Sequence, residues 1–308
     1  MLDACDKSRV VDEPISTSSV AQSPAIFSIR SVASSSAHRP SAPTDSRTRR
    51  LIVARDPGEY QVFYHVGLGK AASTYLQDRV FPKLANIRYV PRDRSRVYPK
   101  LIERTQDRSY LISREAAYRL TQRLDEFATF KADAQVILVL RRHDRWIASH
   151  YRRYLKNGGS MEFERYADLD SSAPLIWGER QMRFMPMIEA IESRFGSAPL
   201  VLFHEDLKTD PFALIDQICA FTGAHYQRKQ IDLSVVHSSW SDDQLKVTRQ
   251  VGKRLFAEVP EAAQHPGFHR VQRRLRLWAC YGILGAAKLV PKALLDPHPL
   301  IQPGSLER

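Results

Sequence analysis

The stretch Gln-Val-Ile-Leu-Val-Leu at positions 135–140 constrains the fold more than any other. A strand with one wet face alternates apolar and polar residues, whereas this unbroken, β-branched-rich run has no polar face and suits a strand buried on both sides. Both sides of a sheet are covered when crossover helices link parallel strands, so the run predicts an α/β fold. From Tyr60 onward the chain supplies the other parts, with no internal repeat. "VFYHV" (62–66) reads as the first strand and "STYLQDRVFPKL" as the helix after it. "SYLI" (109–112) reads as a short buried strand followed by a helix from about Glu115 to Phe127, and "PLVLF" (199–203) as a further strand. The expected architecture is three layers, a central, mostly parallel sheet flanked by helices.

Helix ends carry their own signals. Asp210 before Pro211 is an N-cap with proline in the first helical position, and Gly223 is placed to stop that helix. Ser241 with Gln244 forms a capping box opening a helix to about Glu258. Met182, Met185, Ile188 and Ile191 recur at helical spacing and read as core. Residues 1–50, rich in Ser, Ala, Thr and Pro, cannot bury enough apolar surface to offset their ordering entropy and read as a disordered tail. Residues 58–308 read as one domain with a helical C-terminal part, about 241–295. Cys5, Cys219 and Cys280 are few and widely spaced, against a disulfide framework and for a reducing, cytoplasmic setting. Neither a secretory leader nor a run long enough to span a bilayer is read from the pattern.

"HVGLGKAASTYLQ" (65–77) places a glycine-rich turn between the first strand and its helix. Backbone N–H groups and the positive end of a helix dipole then converge on one point, which suits an oxyanion. Gly67 and Gly69 permit close backbone approach, Lys70 adds a mobile charge, and Ser73 and Thr74 add hydroxyls. The alternative is a tight strand-to-helix connection with an N-capping serine. A nucleoside-triphosphate P-loop needs a hydroxyl directly after the lysine to hold magnesium, and Ala71 stands there. The ligand expected is a phosphate ester handled without a metal. "VILVLRRHDRWIASHYRRYL" adds Arg141 at the carboxyl end of the central strand and Ser149 eight residues on, about two helical turns. In an open parallel sheet both motifs converge outside the carboxyl ends of the strands. Arg142, Arg145, Arg152 and Arg153 read as solvated.

These motifs in this order resemble the sulfotransferases that use 3'-phosphoadenosine 5'-phosphosulfate (PAPS), in the style of the bacterial and glycan-directed branches. "HVGLGKAASTYLQ" is similar to their 5'-phosphosulfate loop, "LRRHDRWIASHY" to their 3'-phosphate motif, and "VLFHEDLKTDPFALIDQICAFTGA" to a strand, Glu-Asp-Leu turn and helix near the domain's end. His143 departs from a common proline, Ala72 from a common glycine and His204 from a common tyrosine. The resemblance implies a P-loop-type fold, PAPS as donor and adenosine 3',5'-bisphosphate as product. It implies a PAPS loop of Gly69, Lys70, Ala71, Ala72, Ser73 and Thr74, with Lys70 on the transferring group. It assigns Arg141 and Ser149 to the 3'-phosphate and points to Glu115 as the base; should Glu115 not serve, His65, His143 and His204 are the next candidates.

The expected reaction is sulfuryl transfer to a hydroxyl or amine of a glycan, glycolipid or small molecule. A P-loop kinase and a non-catalytic nucleotide-binding homologue are the alternatives. A net charge of +12 favours anionic partners. Nucleic acid is not expected, because no recognition helix, aromatic platform or zinc signature accompanies the arginines. The C-terminal "RRLRLWACYGILGAAKLVPKALL" reads as a helix closing the core, while its basic residues, Trp278 and Tyr281 also suit peripheral contact with the inner membrane face.

Overall fold

In the computed structural model the described residues are 60–94, 97–116, 120–234, 240–256 and 266–306. The chain divides into units Met1–Val53 and Ala54–Arg308, and every described residue belongs to the second. The tail reading for residues 1–50 lies outside them.

Five strands form one sheet in the order β2-β3-β1-β4-β5: β1 Gln61–Gly67, β2 Arg88–Val90, β3 Ser109–Glu115, β4 Gln135–Leu140 and β5 Leu200–Phe203. Every pairing is parallel, and β1, at the centre, pairs with β3 and β4. The helices are α1 Ser73–Tyr75, α2 Tyr98–Thr105, α3 Leu120–Phe130, α4 His143–Lys156, α5 Phe163–Tyr166, α6 Glu179–Met182, α7 Met185–Phe195, α8 Asp206–Thr209, α9 Pro211–Thr222, α10 Asp242–Leu255 and α11 Pro266–Ala286.

Alternation along β1 explains the three layers. Tyr64 points to one face, stacked 3.8 Å on Phe127 of α3, which in turn meets Tyr98 of α2 and Phe195 of α7. Phe63 and His65 point to the other, against Phe221 of α9 and Phe81. The expected α/β class and covered sheet hold. The predicted caps hold too: Asp210 accepts from Phe212 N and Ala213 N, Gly223 adopts the left-handed conformation, and Ser241 and Gln244 form their box.

Several details differ. Glu115 does not open a helix; it ends β3, because pairing with β1 runs from Gln61↔Ser109 to Gly67↔Glu115 and holds the polar Ser113-Arg114-Glu115 extended. The helix after it begins at Leu120. The segment after the loop is not a regular α-helix: one α turn passes into a π turn at Leu76–Val80 and a 3-10 turn at Phe81–Lys83, where Pro82 has no N–H to continue the ladder. The methionine stripe is broken between α6 and α7; Met182 and Ile191 are buried, Ile188 is partly so, and Met185 faces solvent. The helix from Ser241 stops at Leu255 rather than Glu258, and Glu258 itself lies outside the described residues. Arg152 is not solvated, for it bonds Asp242 and the Trp240 carbonyl and ties α4 to the start of α10.

Candidate functional site

The loop after β1 is built under tension. A Cβ at Gly67 would lie 2.1 Å from Ser73 Oγ, so only glycine lets the strand end and the helix start touch. Lys70 and Ala72 both hold positive φ, 72° and 61°. Left-handed backbone at a non-glycine residue costs of order 1–3 kcal/mol and persists where the surroundings over-determine it.

Here α4 supplies that restraint. Trp146 Nε1 and His150 Nε2 both donate to the Gly69 carbonyl, at 2.8 and 2.9 Å. Arg141 Nη1 donates to the Lys70 carbonyl at 2.9 Å. Because a carbonyl can only accept, His150 carries its proton on Nε2; burial holds its pKa down to about 3, so the ring is neutral. The Gly69 carbonyl is thus turned toward α4 and the Lys70 carbonyl toward Arg141, just past β4, and the Gly69–Lys70 amide proton faces away from α4, across the trans peptide.

Lys70 is half-buried, and its pKa falls to about 8, mainly from burial and then from Arg153 and Lys156, with Glu115 opposing. Arg153 is half-buried rather than solvated, and its charge and that of Lys156 contribute to holding the Lys70 pKa down. Helical spacing puts Ser149, Arg153 and Lys156 in one stripe, beside the Trp146 and His150 line. That i, i+4, i+7 spacing of hydroxyl and cations was the signal available in the sequence. Arg142, at the N-cap of α4, and Arg145 within it are exposed.

The remaining site residues fall as follows. Glu115 lies opposite Gly67 in the β1–β3 register, and Ala116 N donates to the Gly67 carbonyl, so the carboxylate stands at the loop's edge. Ser73 is buried and its hydroxyl bonds the Leu68 carbonyl at 3.3 Å, which turns it inward; Thr74 is half-buried beside it, and Ala71 is fully buried. Arg141 remains cationic although burial lowers its pKa, and its buried Nε has no partner, a donor still to be satisfied.

Of the histidine candidates, His65 and His204 are poor bases. His65 is fully buried, bonded through Nδ1 to Ser113 Oγ at 2.7 Å, with its pKa driven by burial to about 3. His143 stacks on Phe184 at 4.0 Å and bonds the Met182 carbonyl. His204 is held down to about 4, by burial and then by Arg141. A surface cavity of about 580 Å³ lies at the opposite ends of the strands, by Phe81, Tyr89 and Arg108; its Arg88 and Asp107 are paired with each other.

No family model and no curated protein matches this chain. Among solved structures it is similar to a sulfotransferase from Alicyclobacillus acidocaldarius, at 16% identity and a TM-score of 0.46, over 65% of this chain and 93% of that one. It is also similar to mouse sulfotransferase SULT7A1 complexed with PAP, at 14% identity and a TM-score of 0.36, over 56% of this chain and 61% of that one. At such low TM-scores the functional reading rests on the residues of the site.

Proposed function

We propose that this chain transfers a sulfuryl group from PAPS to a hydroxyl or amine of a glycan, glycolipid or small-molecule acceptor. One observation carries the reading: the half-buried Lys70 cation sits in a strained loop whose carbonyls are drawn away by α4 and Arg141, with Arg153 and Lys156 about it and Glu115 opposite. That is an oxyanion site with an acid-base group at its edge. The residue after Lys70 is Ala71, so the hydroxyl that holds magnesium in nucleoside-triphosphate loops is missing.

PAPS supplies the sulfuryl group and leaves as adenosine 3',5'-bisphosphate. Lys70 stabilises the charge that grows on the leaving phosphate, and fixed loop amides add donors without reorganisation. Arg141, through its unspent Nε, and Ser149 hold the 3'-phosphate, with Arg153 and Lys156 adding field. Glu115 takes the acceptor's proton. With Ser73 turned inward, Thr74 and the backbone carry the 5'-phosphate contacts.

The test is a comparison of thermal shifts. Adenosine 3',5'-bisphosphate at a hundredfold excess over its Kd adds about 2.7 kcal/mol of native-state stability, and ATP with magnesium adds far less. Stabilisation by ATP-magnesium alone refutes the proposal in favour of a kinase. Turnover on the same preparation separates an enzyme from a binding homologue: Glu115→Gln slows single-turnover transfer by roughly a hundredfold or more while nucleotide affinity holds. A wild-type rate in that variant removes Glu115 from the mechanism.

A further inference from the structure

Helix α11 is half embedded and half bare. Cys280, Leu284 and the following Ala287 are buried. Arg276 bonds the carbonyls of Asn157 and Gly158 at the end of α4 and lies over the ring of Phe256. The opposite side carries Val271, Leu275 and Trp278 at i, i+4 and i+7, the last two 65% and 76% exposed. Beyond the helix, Leu289 and Leu294 are 85% and 72% exposed and extend the apolar surface. Such a row of large bare side chains on one face, rather than scattered single ones, marks an interaction surface.

Charge says what kind. Between Glu261 and Asp296 the sequence has no acidic residue, but it has Arg270, Arg273, Arg274, Arg276, Lys288 and Lys292. Arg274, Lys288 and Lys292 are exposed beside the apolar row. Tyr281 flanks it, its hydroxyl bonded to Lys156 Nζ at 3.1 Å. Apolar knobs, an interfacial tryptophan and tyrosine, and a mainly cationic surround fit an anionic lipid surface, with the helix in the plane of the interface. Among the described residues no helix is long and apolar enough to cross a membrane, so the contact is one of lying on the bilayer.

We infer that the exposed face of α11, with the turns after it, docks the protein on anionic membrane surfaces. This does not depend on the reaction proposed above. The Lys156–Tyr281 bond joins the docking face to α4, whose Lys156 also acts on Lys70.

Co-sedimentation of the full chain with vesicles tests this, using phosphatidylcholine alone and phosphatidylcholine mixed with phosphatidylglycerol. Binding is expected to the mixed vesicles only, to weaken with added salt, and to shift Trp278 emission to the blue. Trp278→Glu with Leu275→Glu is expected to reduce binding at least tenfold, and Lys288→Glu with Lys292→Glu to act in the same direction. All four positions are exposed, and an unchanged melting temperature confirms that the variants are folded. No binding to either vesicle, or equal binding to both, overturns the inference. So does a concentration-dependent dimer that Trp278→Glu dissolves, which would assign the face to a second copy of this chain. Vesicle binding is read without PAPS or an acceptor, so its failure is distinct from failure of the sulfuryl-transfer reading.

Discussion

Lys70 shows how one residue can serve a site and burden a fold. Its pKa lies near 8 when folded, below the ordinary 10.5 of a lysine in the unfolded chain. Between those values the unfolded state binds the extra proton, so stability rises with pH across that window, and the full cost of burying the cation stands below it. Lys70→Met should therefore raise the melting temperature at neutral pH and flatten the wild-type rise above pH 8, while abolishing bisphosphate binding. Calorimetry of both proteins across that range, with nucleotide titrations alongside, checks it; a variant less stable at neutral pH refutes it. The glycine neighbours of Lys70 mark it in the sequence as a candidate phosphate ligand. The sequence could not show the depressed pKa, because that comes mainly from burial in the fold and then from Arg153 and Lys156, more than eighty positions away on α4. Glu115 was legible as a carboxylate near the loop but not as a strand end. Local polarity there favours a turn, and only pairing with β1 extends it.

At the scale of elements, α4 is a lever against the loop. The strained backbone at Lys70 and Ala72 keeps its shape while Trp146, His150 and Arg141 hold the Gly69 and Lys70 carbonyls. His150→Ala leaves Trp146 as the only side chain bonded to Gly69, and it should weaken bisphosphate binding by roughly tenfold, about 1.4 kcal/mol, with the loss of one hydrogen bond and its preorganisation. His150→Gln, which can still donate, should restore much of that affinity. If the two variants bind alike, the ring fills space and does not position the loop. The central strand and the caps at Asp210, Gly223 and Ser241 were readable because each rests on neighbours in sequence. The clamp was not, since a tryptophan and a histidine four apart on a helix read equally well as core. The break between α6 and α7 was hidden for a similar reason: periodicity continues through it on paper.

Across the whole molecule, α10 and α11 brace the far end of α4. Arg152 reaches Asp242, Arg249 reaches Glu162, Arg276 reaches Asn157, and Gln244 Nε2 bonds the Leu284 carbonyl at 2.8 Å. The helical C-terminal part, expected as a helix closing the core, buries Cys280 and Leu284 and also supports the end of α4.

The all-parallel sheet also bears on how the chain is made. No two of its paired strands are joined by a hairpin: Gln61 meets Ser109, Phe63 meets Gln135, and Ile137 meets Leu200. Each central pairing must close a loop of dozens of residues before any ladder bond forms, so nothing local can seed the sheet. Refolding from denaturant should accordingly be slow, with a rollover at low denaturant from a collapsed species whose strands are unpaired. Its recovered yield should fall as protein concentration rises, because β4, apolar on both faces, has to wait for its partner β5 before it is covered. On a ribosome the same strand emerges more than sixty residues before its partner β5, and it is there that a chaperone would be needed.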